Sequence, residues 1–185
     1  MCIRDRYWNV TPSNRTQWVA DFKNAVNTLR AHAPGVKIAF NPNDGADQTG
    51  VSMSQLATDL LGYIDFVGPD FYNWYPVVSD DPSWNQHYNA VGGMKQWEDF
   101  ARTNHLGFTV PEWGGYPGSG QSSNGVVYVQ KMVARFAALS AEGIPVIESY
   151  FNEPASYIAN SLWDPQQMPQ LAQTYHDLLA AQPVQ

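Results

Sequence analysis

Cysteine is almost absent from this 185-residue chain: Cys2 is the only one, so neither an internal disulfide nor a thiolate zinc cluster can form. Histidine is scarce too. The four present, His32, His87, His105 and His176, lack the close spacing of a metal site, and neither a metal nor a cofactor is expected. Basic residues are few, 10 Lys+Arg against 17 Asp+Glu, and the net charge of -7 argues against a nucleic-acid partner. No apolar run approaches the ~18 residues of a membrane span, so no membrane partner is expected. No glycine-rich phosphate loop follows the first apolar run, which leaves nucleotide binding without support. What the chain does have is 44% hydrophobic residues, 7 Trp and 10 Tyr, enough to bury the core of a single α/β domain.

Residues 1–6, MCIRDR, follow no helix, strand or signal-peptide logic and read as a non-native leader. Beyond them the pattern is regular. Four short apolar runs, 36–41 (VKIAFN), 64–70 (IDFVGPD), 106–112 (LGFTVPE) and 144–150 (IPVIESY), have the length and content of buried parallel strands. Helical periodicity lies around them: Trp18, Phe22, Val26 and Leu29; Met53, Leu56 and Leu60; Met94, Trp97 and Ala101; Val129, Met132, Val133, Phe136 and Leu139; and finally Leu171, Tyr175 and Leu178. This order predicts successive βα units, either as a small open sheet or as part of a (β/α)8 barrel.

Each run ends in polar and aromatic residues: Asn41-Pro42-Asn43-Asp44, Asp70-Phe71-Tyr72, Glu112-Trp113-Gly114-Gly115 and Tyr150-Phe151-Asn152-Glu153. C-terminal strand ends converge on the site of parallel α/β folds, and carboxylates and amides beside aromatic faces suit a sugar. Of the five glutamates, Glu98 and Glu142 read as solvated helix residues. Glu148 reads as a partner inside the strand layers, and Glu153 as a loop carboxylate. Glu112 closes an apolar strand just before a sharp turn, the setting of an attacking group. Asp70 and Tyr72 share strand parity, and Tyr72 is placed to donate to a neighbouring carboxylate. Trp74, Trp113, Tyr116 and Trp163 are candidate stacking platforms, whereas His105, at the opposite end of a strand, reads as structural.

The segment 18–43, the strand 65–72 (DFVGPDFY), the strand end Pro111-Glu112-Trp113-Gly114, and Tyr150-Phe151-Asn152 with Trp163-Asp164-Pro165 together resemble the second half of a family-26 glycoside hydrolase. The resemblance implies a partial (β/α)8 TIM barrel whose four parallel strands are the fifth to eighth, with residues 7–185 as the C-terminal half of the catalytic barrel. It further implies a retaining, β-mannanase-like glycosidase with Glu112 as nucleophile and Tyr72 orienting it. Asp70, Trp74, Trp113, Phe151, Trp163, Asn41 and Trp8 are the implied substrate contacts. The acid/base of that family lies in a His-Glu segment with no counterpart ahead of Trp8, so the resemblance implies that the acid/base is missing from this chain and that the chain alone is inactive. The implied partner is a polysaccharide or oligosaccharide, and the implied location secreted or periplasmic. A carbohydrate-binding α/β module, or a family 5 or 113 glycosidase of the same clan, are the alternatives.

Overall fold

All four apolar runs enter one parallel sheet, and the amphipathic segments between them cover it. The computed structural model describes residues 10–181 except 46, 48, 75 and 116–124; the leader at 1–6, Trp8 and Tyr116 lie outside the described residues. The elements are α1 (Arg15–His32), β1 (Ala39–Phe40), α2 (Met53–Asp59), β2 (Phe66–Val67), β3 (Phe71–Tyr72), α3 (Asp81–Tyr88), α4 (Met94–Asn104), β4 (Gly107–Gly114), α5 (Val126–Ala141), β5 (Val146–Tyr150) and α6 (Pro169–Ala180).

Every strand pairing is parallel: Ala39 with Phe66, Phe66 with Gly107, Phe71 with Trp113, and Phe108 with Val146. β2 and β3 lie along the same edge of β4, so they are two parts of one run interrupted at Gly68-Pro69-Asp70. The interruption has physical causes. Pro69 has no N–H to give a ladder. At Gly68 a Cβ would sit 1.8 Å from the Thr109 carbonyl oxygen, so only glycine allows the approach. The spatial order is therefore β1, β2 with β3, β4, β5, each joined to the next through helix, as parallel strands require.

Aromatic contacts locate the core between sheet and helices. Phe40 meets Trp18 of α1 and Trp97 of α4. Phe71 meets Trp84 of α3 and Tyr128 of α5. Trp113 meets Phe136 of α5 and Tyr175 of α6. The last strand shows how the opposite face differs: Val146, Glu148 and Tyr150 are half-buried, while Ser149 and Ile147, the latter 52% accessible, lie open to solvent.

Two features depart from the sequence expectation. α3 is an additional helix with little apolar periodicity, only Trp84 and His87 being buried. Its start is set by a capping box, in which the Asp80 carboxylate accepts from the Ser83 amide at 2.8 Å and the Ser83 hydroxyl accepts from the Asp80 amide at 3.0 Å. Glu98, expected to be solvated, is fully buried. Arg135 of α5 donates to it at 3.1 Å, the Tyr88 hydroxyl at 2.8 Å, and Arg102 one turn along α4 at 3.3 Å. A carboxylate tolerates this burial only because cations and donors enclose it. Glu142 is exposed and pairs with the same Arg102. Among the described residues no helix is long and apolar enough to cross a membrane.

Candidate active site

β4 is buried along its length except at Pro111 and Glu112, which are half-exposed. The register explains why. Val110 pairs with Glu148 and Trp113 with Tyr150, so β4 advances three residues while β5 advances two. The extra residue is a β-bulge, and a bulge interior tolerates proline because no ladder hydrogen bond is asked of it. It also resets side-chain alternation. Val110 and Trp113 both lie on the helix side, and the Glu112 carboxylate emerges on the other, at the C-terminal end of the strand.

There Glu112 meets Tyr72 at the end of β3. The tyrosine hydroxyl donates to Glu112 Oε1 at 2.7 Å. Burial, the bond to Glu112 and the nearby Asp70 charge push the Tyr72 hydroxyl well above the usual phenol range, so it stays protonated and remains the donor. Phe151 sets its ring edge-on to Tyr72, with centroids 6.1 Å apart. Asp70 is buried beside this pair, its backbone bridging Asn43. Four residues singled out in the sequence, Asp70, Tyr72, Glu112 and Phe151, thus gather at the C-terminal ends of three neighbouring strands.

Other residues fall elsewhere. Trp113 is fully buried on the helix side, with its indole N–H donated to Glu148 Oε2 at 2.6 Å, so it offers no platform to a sugar. The bulge is the reason. Asn41 is only 2% accessible and gives its amide to the Gly68 carbonyl at 2.8 Å, tying strand ends together instead of lining an open mouth. Glu148 lies in the layer beneath the helices, held by Trp113 and by the Tyr175 hydroxyl at 2.9 Å. Glu153 caps the turn at Ala155, and His105 closes α4 in the left-handed conformation. Trp74 and Trp163 keep large exposed indole surfaces, 51% and 63% accessible, on the loops after β3 and β5.

Asp44 closes the first strand-end cluster and has no role in the sequence expectation. Burial pushes its carboxyl up from 3.8 to about 6, against the lowering effect of the Trp74 indole N–H and a backbone amide. His87 Nε2 lies 3.9 Å from it. An Asn-Asp pair ending an apolar run was the available signal. Among the described residues no group of three His, Cys, Asp or Glu side chains is arranged to hold a metal.

No protein-family model matches the chain, and no curated protein sequence matches it.

Proposed function

We propose that the chain forms four βα units, the second half of a (β/α)8 barrel, of a retaining glycoside hydrolase that cleaves β-1,4-linked polysaccharide, β-mannan being the favoured substrate. One observation carries the reading: a protonated tyrosine donating at 2.7 Å to a glutamate that a bulge turns toward the C-terminal rim of a parallel sheet. That is the setting of an oriented carboxylate nucleophile. In the proposed reaction Glu112 attacks the anomeric carbon, the glycosidic bond breaks, and water later releases the sugar with its original configuration. Tyr72 fixes the carboxylate so that its orientation is set before substrate arrives. Asp70 and Phe151 flank the sugar-binding end, and the exposed indoles of Trp74 and Trp163 offer stacking faces. The proton donor comes from the other four units of the parent barrel. The open face of β5, with Ile147 accessible, is what those units would cover.

The test is hydrolysis of β-mannan by the complete parent barrel. Glu112→Ala is expected to lower kcat by at least about 10⁴-fold. The first product seen by proton NMR is expected to keep the β configuration. An inverted product, or full activity without Glu112, would overturn the reading, and turnover by these four units alone would overturn the half-barrel assignment.

A further inference from the structure

We propose that Glu148 is a positioning residue for Glu112, acting as a clasp across the β4 bulge; the proposal rests on the reading of Glu112 as nucleophile. Glu148 pairs in register with Val110, the last β4 residue before the bulge. Its side chain reaches past the bulge to Trp113, accepting the indole N–H at 2.6 Å, and the Tyr175 hydroxyl of α6 holds its other oxygen at 2.9 Å. Glu148 thus meets β4 on both sides of the extra residue, through its backbone register at Val110 and its carboxylate at Trp113. Trp113 is further wedged between Tyr150, 5.1 Å away, and Phe136, 5.7 Å away, so the indole has no room to turn. With Val110 and Trp113 both pinned to the helix side, Pro111 and Glu112 can only project to the other. Without the clasp, the strand is free to shift its bulge by a residue, which moves the Glu112 carboxylate away from Tyr72.

The clasp is tested on the complete parent barrel with 2,4-dinitrophenyl 2-deoxy-2-fluoro-β-mannoside. In the labelling step a Glu112 oxygen bonds to the anomeric carbon as the bond to oxygen of the leaving group breaks. Dinitrophenolate departs with the electron pair as a stable anion, so no acid is required. Trp113→Phe removes the indole donor but keeps a ring in the cavity, and Glu148→Leu removes the acceptor. Each is expected to lower the first-order labelling constant by about 10- to 10²-fold, with the half-saturating reagent concentration unchanged. Glu148→Gln retains an acceptor and is expected to stay within about threefold of wild type. The double variant Trp113→Phe/Glu148→Leu is expected to lose no more than either single one. Single variants that label at the wild-type rate, or losses that multiply in the double variant, would overturn the clasp.

A second readout separates this proposal from the functional reading. It is the ¹³Cδ-glutamate NMR signal of Glu112 in the complete parent barrel, assigned by its loss in Glu112→Gln. If wild type is folded but takes no label, the nucleophile reading fails. The clasp is then judged on whether Trp113→Phe shifts the Glu112 signal, as expected, or leaves it in place, which would overturn it.

Discussion

Tyr72 can hold Glu112 as a fixed carboxylate because its own proton is so firmly bound: burial and the acceptor opposite both disfavour the phenolate. Removing that hydroxyl should be felt in catalysis before stability. On the proposed reading, Tyr72→Phe is expected to lower kcat of the parent barrel on β-mannan by about 10- to 10²-fold, the worth of a hydrogen bond to a charged group, with KM nearly unchanged. A loss confined to KM would show that Tyr72 contacts substrate without orienting Glu112. The pairing was legible in the sequence because Tyr72 lies in the cluster that follows one apolar run and Glu112 closes the next, and runs in consecutive βα units become neighbours. Trp113 was not legible in the same way. Its position beside Glu112 suggested the rim, but strict alternation fails at a bulge, and nothing in Val110-Pro111-Glu112 except the proline hints at one.

At the scale of elements, the joint between α4 and α5 depends on a charge that helical periodicity could not place. Glu98 follows Trp97 on α4 and looks like one more surface glutamate until Arg135 and Tyr88 are brought over it by the packing of α3 and α5. Glu98→Ala strips the two arginines and the tyrosine of their shared acceptor. It is expected to cost about 2 kcal/mol in urea denaturation, whereas Glu142→Ala, at an exposed and solvent-screened partner, should cost clearly less. Equal costs for the two would show that burial of Glu98 adds nothing. α3 illustrates the same limit. Eight mostly polar residues give no apolar stripe, and only the Asp80 to Ser83 capping pattern with Pro82 marked it in the sequence.

For the molecule as a whole, the four-strand order and the helix layer were readable from apolar runs and their spacing, whereas the tertiary burial of single carboxylates was not. Asp44 makes that burial measurable. Its folded carboxyl titrates near 6 and its unfolded one near 3.8, so between these values the folded state holds a proton that the unfolded state has released. Its contribution to stability is therefore present at low pH and is lost as pH rises through this window, by roughly 3 kcal/mol in all. Asp44→Asn never ionises. It is expected to be more stable than wild type at pH 7 by up to about that amount, and to match it near pH 4. A difference that does not change with pH, measured by urea denaturation at both values, would contradict the assigned cause. The most direct test of the whole account asks which atom of the complete parent barrel the activated fluoromannoside reaches. Peptide mass mapping after labelling should find one glycosyl unit attached, on Glu112, and none when Glu112 is replaced by Gln; an adduct on another carboxylate, or one that persists in Glu112→Gln, would contradict it.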